Sequence, residues 1–376
     1  MAKVIEGMMA ARLAERANLG RKRVLQAPSG QIDFCSNDYL GLAKRREPLE
    51  AVSVTGSTGS RLISGNYPLI EQAEAEISAF HQAEAGLFFS TGYAANVGLL
   101  SCLLGKGDSY ISDSLVHASM IDGMRLSKAA RHIFRHSNLD HLETCLQQAE
   151  GRKVVVVESL YSMDGDLAPL REINALCQRY EAGLVVDEAH ATGIIGPEGR
   201  GLVCELGLEN QVLVRVHTFG KAVGSHGAII LGSPTLKSYL VNFARSFVFS
   251  TAPAPGQVVQ VRAAYEAVEA ADEARNALQT VIAAWRKQAK RFGQPAQPSV
   301  IQHMIVPGES AVRALAATLQ EAGFWVLPIV APTVPVGSER IRICLHSYNT
   351  VAEVEALWAL AGPLLRPVTS RIEIPS

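Results

Sequence analysis

The feature of this sequence that most limits its fold is a series of short, wholly apolar runs that alternate with segments of helical periodicity. Between about residues 50 and 260, such runs occupy residues 154–157, 184–186, 212–214 and 228–231. They are too short and too uniformly apolar for surface helices, and they are typical of strands buried on both faces of a parallel sheet. Helical segments such as residues 69–80 would supply the crossovers. The alternation predicts an α/β domain with a mostly parallel sheet.

The chain is long enough for a second, smaller domain and an N-terminal arm. Its 376 residues accommodate two domains of ordinary size. Val4, Met8, Ala11 and Ala14 recur at helical spacing, which predicts an amphipathic arm helix. Residues 257–292 form a long helical tract, beyond which a strand, helix, strand, helix pattern predicts a small α+β domain. We therefore divide the chain into an arm (residues 1–45), a large domain (46–260) and a small C-terminal domain with its linking helix (261–376).

Charge and apolar patterning exclude several classes of protein. Lys and Arg number 35 against 36 Asp and Glu, and the net charge of -1 does not fit a basic nucleic-acid-binding surface. No stretch approaches the ~20 consecutive apolar residues that a membrane-spanning helix needs. The six cysteines are scattered singly, which favours reduced core cysteines in a cytosolic protein. We expect a soluble, cytoplasmic protein that binds neither nucleic acid nor membranes.

Two motif matches suggest nucleotide chemistry, and their context argues against it. Asp-Glu-Ala-His at residues 187–190 also occurs as the metal-binding box of one class of helicases. However, the chain has no Gly-x-x-x-x-Gly-Lys-Ser/Thr string to hold the phosphates of a nucleotide. Gly196, Gly199 and Gly201 lack the Gly-x-Gly-x-x-Gly spacing of a dinucleotide site. Both functions are therefore disfavoured.

A metal site is also weighed, because His132 and His136 have the spacing of neighbours on one helix face. Arg131 and Arg135 flank them and would repel a cation. No carboxylate lies at a matching helical step to complete a ligand set. We predict no metal site.

The polar residues that follow the apolar runs are the best candidates for chemistry, because ligands of parallel α/β sheets bind beyond the carboxyl ends of the strands. Lys221 follows one run and lies between Gly220 and Ala222, an unusual setting for a surface lysine. A lysine in a partly apolar cleft has a lowered pKa, and its neutral amine can form a Schiff base with an aldehyde. With Asp187 at a neighbouring strand end, the pair suggests pyridoxal 5'-phosphate (PLP), whose ring needs a carboxylate to keep its pyridine nitrogen protonated.

Residues 88–96 offer a phosphate site for such a cofactor. They run from two phenylalanines through Ser-Thr-Gly into a predicted helix. Hydroxyl groups and free backbone N–H groups at a helix N-terminus favour an anion. A capped helix without a ligand would have the same sequence, so this segment carries weight only beside Lys221 and Asp187.

Five ordered motifs extend over most of the chain. They are Asn-Asp-Tyr-Leu-Gly-Leu (37–42), Gly-Ser-Thr-Gly-Ser-Arg-Leu-Ile-Ser-Gly (56–65), Ser-Met-Asp-Gly-Asp (162–166), Asp-Glu-Ala-His-Ala-Thr-Gly (187–193) and His-Thr-Phe-Gly-Lys-Ala (217–222). Together they resemble the α-oxoamine synthases, PLP-dependent enzymes of the aspartate-aminotransferase fold, which is fold type I. The resemblance covers about residues 37–348. It implies a large PLP-binding domain, a smaller C-terminal α+β domain, and a homodimer with the active site at the subunit interface.

The resemblance also implies roles for individual residues. The catalytic set would be Lys221 as the Schiff-base and proton-transfer lysine, His117 stacked on the cofactor ring, Asp187 at the pyridine nitrogen and His190 donating to the ring hydroxyl. Further implied cofactor contacts are Gly92, Tyr93, Ser162, Thr218 and, from the neighbouring subunit, Ser250 and Thr251. The implied substrate contacts are Asn37, Thr333, Arg342 and an arm arginine that matches either Arg21 or Arg23. Without the motifs, His117 would be interpreted as a core histidine and Arg342 as a surface or strand-edge residue.

Within the family, the sequence is most similar to members that condense L-alanine with a pimeloyl thioester in biotin biosynthesis. The resemblance implies that the pimeloyl group arrives on coenzyme A or on a carrier protein and that carbon dioxide is lost. Members that use glycine or serine with other acyl thioesters stay open as an alternative. A second alternative is a non-catalytic protein that keeps the fold and the PLP pocket.

Overall fold

Strand pairing builds one large sheet and two small ones in this chain. The structure is a computed structural model that describes residues 2–23, 26, 30–44 and 53–365. Within these residues the strands are β1 (Ile32–Asp33), β2 (Ala85–Phe89), β3 (Ser109–Asp113), β4 (Ala130–Phe134), β5 (Lys153–Glu158), β6 (Ala182–Asp187), β7 (Val214–Thr218), β8 (Ala228–Gly232), β9 (Ile301–Ile305), β10 (Phe324–Trp325), β11 (Leu327–Ile329) and β12 (Arg340–Cys344).

Helices cover these sheets and connect their strands. The α-helices are α1 (Ala2–Asn18), α2 (Pro68–Phe80), α3 (Gly92–Cys102), α4 (Ala118–Leu126), α5 (Leu139–Gln148), α6 (Leu170–Arg179), α7 (Leu202–Glu205), α8 (Pro234–Phe243), α9 (Arg245–Val248), α10 (Pro255–Glu269), α11 (Asp272–Arg291), α12 (Glu309–Glu321) and α13 (Val351–Ala361). Short 3-10 helices span Leu42–Lys44, Pro197–Gly199 and Gly362–Leu364.

The large sheet has seven strands in the order β2-β8-β7-β6-β5-β3-β4. The strands from β7 through β6, β5 and β3 to β4 pair in parallel, whereas β8 is antiparallel to both of its neighbours. The prediction of a mostly parallel sheet is confirmed. Consecutive valines of β5 face opposite sides: Val155 and Val157 join one core cluster, and Val154 and Val156 join another. Such a strand is buried on both faces, which is why its sequence is an unbroken apolar run.

The smaller sheet lies in the C-terminal part of the chain and has the antiparallel order β11-β12-β9. Helices α11 and α13 pack together behind it, with the rings of Trp285 and Trp358 4.9 Å apart. The predicted strand and helix pattern beyond Pro298 is confirmed by β9, α12, β12 and α13. Strand β1 pairs with β10 in a separate two-stranded sheet, and this contact attaches the segment after the arm helix to the C-terminal part of the chain.

Two predicted elements differ from the structure, and the predicted arm helix is confirmed as a helix. The helical tract predicted at residues 257–292 consists of two helices, α10 and α11. They are separated at Ala270 and Ala271, although neither residue is a glycine or proline. The run at residues 212–214 is mostly outside β7, which begins at Val214, and Leu213 is 42% exposed. The predicted arm helix is present as α1, but its apolar side chains are exposed in the single chain.

Neither predicted domain boundary coincides with a loop that the structure describes. The boundary between residues 45 and 46 lies outside the described residues. The boundary between residues 260 and 261 falls inside α10.

All six cysteines are free, and Cys145, Cys177 and Cys344 are buried. In the described part of the chain, no helix combines the length and apolarity needed to cross a membrane.

Candidate active site

A cleft of about 280 Å³ opens at the carboxyl ends of the parallel strands. Its lining residues are Asn37, Thr91, Gly92, Tyr93, Asn96, His117, Ser119, Glu158, Asp187, Ala189, His190, Thr218, Gly220, Lys221, His226 and Gly227. Eight of them were predicted as site residues: Asn37, Gly92, Tyr93, His117, Asp187, His190, Thr218 and Lys221. The fold therefore brings together residues that are up to 184 positions apart in the sequence.

Lys221 reaches the cleft from a tight turn after β7. The amide N–H of Gly224 donates to the carbonyl oxygen of Lys221 at 2.8 Å, and that of Ser225 donates to Phe219 at 2.7 Å. Gly224 has φ +67, and a Cβ there would lie 2.4 Å from the backbone nitrogen of Ala43. Burial lowers the pKa of Lys221 although the charges of nearby carboxylates oppose the shift. A lowered pKa increases the share of neutral amine that can react.

Asp187 ends β6 and has a fixed orientation in the cleft. Its Oδ1 accepts from the backbone N–H of Ala189 at 2.8 Å. Its Oδ2 accepts from the side-chain amide of Asn96, also at 2.8 Å. The same Asn96 amide nitrogen donates to the hydroxyl of Ser119 at 3.0 Å. These bonds hold the carboxylate in place in the cleft.

Glu158 ends β5 directly opposite Asp187 in the strand register and is 3% exposed. Its Oε1 has no hydrogen-bond partner among the described residues. Burial, followed by the charge of Asp187, raises the pKa of Glu158 to about 8. The two adjacent buried carboxyl groups thus differ in their hydrogen bonding. Both oxygens of Asp187 accept from amide donors, whereas Oε1 of Glu158 has no partner among the described residues.

The N-terminus of α3 forms another wall of the cleft. Thr91 is the N-cap residue, and its hydroxyl accepts from the N–H of Ala94 at 3.0 Å. A Cβ on Gly92 would lie 2.4 Å from Cγ2 of Thr218, so only glycine fits there without displacement. The buried hydroxyl of Thr218 has no partner among the described residues. Free N–H groups and an unpaired hydroxyl at a helix N-terminus fit an anion such as phosphate.

Two histidines complete the polar surface of the cleft. His117 is the N-cap residue of α4, and its Nδ1 lies 2.8 Å from the hydroxyl of Ser119. His190 is buried, and its Nδ1 lies 2.8 Å from the hydroxyl of Tyr39. Burial lowers the pKa of both histidines, and the cationic side chain of Lys221 contributes in the same direction. Both imidazoles are therefore neutral at pH 7.

Arg342 reaches the edge of the cleft from β12 of the small sheet. Its Nη2 donates to Oδ1 of Asn37 at 3.1 Å, and Asn37 lines the cleft. Its Nε donates to the carbonyl oxygen of Ser162 at 2.6 Å. The small sheet thus supplies a guanidinium group beside a cleft that the large sheet otherwise builds.

A second cavity of about 800 Å³ shares His117 with the cleft. Its walls are mostly apolar and include Leu115, Val116, Ile121, Met163, Pro332, Val334 and Val336. Ser162 and Thr333, both predicted as site residues, line this cavity rather than the cleft. Arg340 also lines it and is paired with Asp164, whose Oδ1 lies 2.6 Å from Nη1 of Arg340.

Other predicted site residues lie away from the cleft of this chain. Ser250 and Thr251 line a separate small pocket together with Arg61 and Ser90. Arg21 forms an ion pair with Glu309 on α12, with Nε and Oε2 3.6 Å apart. Arg23, the other arm candidate, is exposed.

The histidine pair that was weighed as a metal site is not on a helix. His132 lies in β4, and His136 follows that strand. Among the described residues, no group of three or more His, Cys, Asp or Glu side chains is arranged to hold a metal ion. Both ring nitrogens of His136 instead contact carboxylates, Asp113 at 3.0 Å and Asp166 at 2.8 Å.

Sequence reasoning assigns no role to three side chains that shape the site. Glu158 follows a buried strand as Asp187 does, and that shared position is the signal that could have identified it. Asn96 lies four residues after Gly92 and therefore on the same side of α3. Tyr39 belongs to the first motif, but its contact with His190 spans 151 residues, and nothing local predicts it.

Comparisons with known proteins agree with this geometry. The family of class I and II aminotransferases matches residues 29–358. The 8-amino-7-oxononanoate synthase of Marinobacter nauticus is 40% identical, over 87% of this chain and 85% of that protein. The 8-amino-7-oxononanoate synthase of Emericella nidulans is 41% identical, over 90% of each chain. A solved serine palmitoyltransferase variant from S. paucimobilis with a bound PLP-myriocin aldimine has a TM-score of 0.87 and 26% identity, over 97% of this chain and 98% of that one.

Proposed function

The chain belongs to the class I and II aminotransferases and, within them, to the α-oxoamine synthases, and from that premise we propose that it condenses L-alanine with a pimeloyl thioester. The products are 8-amino-7-oxononanoate, carbon dioxide and the free thiol, a step of biotin biosynthesis. The observation that carries this proposal is the cleft in which Lys221 and Asp187 meet, in a chain about 40% identical to two synthases of that name.

The residues of the cleft fit PLP. Lys221 would bind the aldehyde, Asp187 the pyridine nitrogen and His190 the ring hydroxyl, with His117 against the ring face. The N-terminus of α3 and the unpaired hydroxyl of Thr218 would hold the phosphate. When bound, PLP supplies an electron-accepting ring that stabilises the carbanion formed at the substrate's Cα.

The protein's own groups then position the amino acid and move its protons. The Arg342 guanidinium binds the L-alanine carboxylate as a fork, and Asn37 lies beside it. With its lowered pKa, the Lys221 amine takes the proton from Cα and returns a proton after carbon dioxide has left. Asp187, held by Asn96 and by the N–H of Ala189, would keep the pyridine nitrogen of bound PLP protonated.

The second cavity is the proposed site of the pimeloyl chain. Its mostly apolar walls suit methylene groups, and it adjoins the cleft at His117. Thr333 would contact the acyl substrate there, and an arm arginine, Arg21 or Arg23, would reach the chain once the substrate is bound. The thioester is carried by coenzyme A or by a carrier protein.

A cytoplasmic homodimer is the proposed working form. Ser250 and Thr251 lie outside this chain's cleft and would contact the phosphate in the neighbouring subunit. Phe249 directly precedes them and is 71% exposed, and Phe243 in α8 is 56% exposed. Exposed aromatic side chains of this kind are typical of a surface that a partner covers. We keep the division into an arm (1–45), a large PLP-binding domain (46–260) and a small domain (261–376) as part of this proposal.

Turnover of the purified protein tests the function. L-alanine, glycine and serine are each supplied with pimeloyl, acetyl, succinyl and palmitoyl thioesters, and visible absorption is recorded before and after the amino acid is added. We expect product from L-alanine with the pimeloyl thioester. Product from glycine alone would overturn the choice of substrate, and product from serine with the palmitoyl thioester would assign the activity named for the S. paucimobilis structure. A protein without visible cofactor absorption would refute the PLP assignment.

A further inference from the structure

Tyr39 is a buried side chain that contacts both the cofactor side and the substrate side of the site. Its relative exposure is 0%, and it is not among the residues that line the cleft. Its hydroxyl oxygen lies 2.8 Å from Nδ1 of His190 and 3.0 Å from Oδ1 of Asn37. One hydroxyl group therefore touches a histidine assigned to the cofactor and an asparagine assigned to the substrate.

The ring of Tyr39 is fully buried and lies near two histidine rings, and its hydroxyl is held by two side-chain contacts. The centroid of the His190 ring lies 6.3 Å away, and that of the His346 ring lies 6.5 Å away in a stacked arrangement. His346 is itself anchored, with its Nε2 3.1 Å from the hydroxyl of Ser36. A side chain held in this way is suited to transmit a change in hydrogen bonding rather than to absorb it.

The hydrogen count makes the two contacts of Tyr39 depend on each other. Neutral His190 carries one ring hydrogen, on either Nδ1 or Nε2. If Nε2 carries it and donates into the cleft, Nδ1 must accept the Tyr39 hydrogen. If Nδ1 carries it and donates to Tyr39, the hydroxyl hydrogen is free for Asn37. A single hydrogen cannot serve both acceptors at once.

Asn37 can release the Tyr39 hydrogen because its Oδ1 has another donor. Nη2 of Arg342 donates to that oxygen at 3.1 Å. No other hydrogen bond to Nδ1 of His190 is found in the described part of the chain. The orientation of the hydroxyl is thus set by what each end of the site requires.

We propose that Tyr39 is a positioning residue whose hydroxyl relays hydrogen-bond state between His190 at the cofactor and Asn37 beside Arg342 at the amino-acid carboxylate. This inference rests on the proposed function, since His190 and Arg342 owe their roles to it. Cofactor electronics and amino-acid binding are then coupled through one hydroxyl group that touches neither ligand.

Tyr39→Phe in the full-length holoenzyme tests the relay, because it removes only that oxygen. We expect the pH midpoint of the visible absorption change to shift by about 0.5 to 1 unit, the size expected for the loss of one hydrogen bond. We also expect L-alanine to bind about threefold to tenfold more weakly, measured from the spectral change that it causes. PLP retention and the melting temperature, recorded alongside, show that the variant is folded and loaded.

Tyr110→Phe is the matched control. Tyr110 is equally buried, and its hydroxyl donates to the carbonyl oxygen of Leu100 at 2.7 Å, away from the cleft. A merely structural role for Tyr39 predicts that both variants lose stability and neither shifts the pH midpoint. That outcome would refute the relay.

A double-mutant cycle with His190→Asn gives a second test. If the hydroxyl acts through His190, the shift of the midpoint caused by Tyr39→Phe is lost in the His190→Asn background. Additive shifts would contradict the relay. The spectral readouts are independent of the acyl donor, so an enzyme that fails with pimeloyl thioester yet shows the coupled shifts refutes the proposed function and not the relay.

Discussion

Two groups of ionisable side chains lie at the same edge of the large sheet, and they differ in whether each charge has a partner inside the protein. In the first, the His136 cluster, the imidazole of His136 lies between the carboxylates of Asp113 and Asp166. Burial alone would lower the pKa of His136, but the hydrogen bonds and charges of the two carboxylates outweigh it and raise the pKa to about 10. In this cluster, one imidazolium cation contacts two carboxylates, so each charge has a partner of opposite sign.

The cleft shows the opposite balance of charge, although Oδ1 of Asp166 in the His136 cluster also has no hydrogen-bond partner among the described residues. Glu158, Asn96 and Thr218 each retain a buried polar atom without a partner among the described residues. Burial raises the pKa of Glu158 and lowers those of Lys221 and His117, in each case towards the neutral form. Uncompensated polar groups with shifted pKa values are typical of a site that awaits a ligand, whereas compensated ones are typical of structure. Mutations should therefore affect activity in the cleft and stability in the His136 cluster.

The largest expected effect is that of Lys221→Ala. Under the proposed function, it removes both the amine that would hold the cofactor and the group that would move the Cα proton. We expect turnover of L-alanine and pimeloyl thioester to fall by at least about 10³-fold and the visible absorption of the linked cofactor to disappear. Lys106→Ala, which changes an exposed lysine, should leave both unchanged. A Lys221→Ala protein with full activity would contradict the assignment of the cleft.

Asp187→Asn should have the next largest effect. The amide keeps the shape of the carboxyl group but cannot hold the pyridine nitrogen in its protonated form, so we expect kcat to fall by about 10²-fold to 10³-fold. The melting temperature should change little. Asp272→Asn, at a carboxylate that is 78% exposed, is the matched control for turnover. A large loss of stability with normal turnover in Asp187→Asn would show that this residue has a structural role, as proposed for the His136 cluster, rather than a catalytic one.

The residues of the cleft could be predicted from the sequence better than the contacts of the His136 cluster. Lys221 and Asp187 follow buried strands, and the parallel order of those strands makes their ends meet. His136 meets Asp113 and Asp166 only because β3, β4 and the loop after β5 converge, across separations of 23 and 30 residues. No local pattern predicts such contacts. The spacing of His132 and His136 matches that of neighbours on one helix face, but the structure places His132 in β4 and His136 just after it.

The same limit applies to the fold. The valine run of β5 predicts a strand because both faces are covered, whereas β3 and β4 have mixed sequences whose strand state depends on pairing with neighbours. The break between α10 and α11 has no glycine or proline, and only Asp272 and Glu273 in the first turn of α11 indicate a new helix. In the proposed homodimer, the exposed arm helix and the residues Ser250 and Thr251 would contact a second subunit. A single sequence contains no pattern that predicts contacts between two chains.

His136→Gln sharpens the comparison on the stability side. It removes the cation and leaves two carboxylates near each other, one of them almost fully buried, so we expect a loss of about 3 kcal/mol in the free energy of unfolding. The visible spectrum of the folded holoenzyme should be unchanged. His132→Gln, four residues earlier on β4, is the control, and His136→Gln with Asp166→Asn should recover part of the loss. Equal stability of His136→Gln and wild type would refute compensation within the cluster.

The smallest expected effect, a change in the slope of stability against pH, separates the His136 cluster from a buried histidine that lacks a carboxylate. His81 is 0% exposed and contacts the carbonyl oxygen of Arg200, the hydroxyl of Tyr265 and the ring of His217. Burial lowers the pKa of His81 to about 3, so the unfolded chain binds a proton there below pH ~6.5 while the folded chain does not.

The two histidines should therefore affect opposite ends of the pH range. Stability from His136 is fully present below pH ~6.5 and is lost as the pH rises through about 10, whereas stability from His81 is present above pH ~6.5 and is lost as the pH falls towards 3. Urea unfolding of wild type between pH 6.5 and 4.5 should lose about 1.4 kcal/mol per pH unit from His81, and His81→Gln should remove that part of the slope. His136→Gln should leave the acid slope intact and flatten the alkaline one. If stability fell equally steeply with decreasing pH in wild type and in His81→Gln, His81 would be protonated in the folded protein. The presence of partner carboxylates would then not explain the difference between His81 and His136.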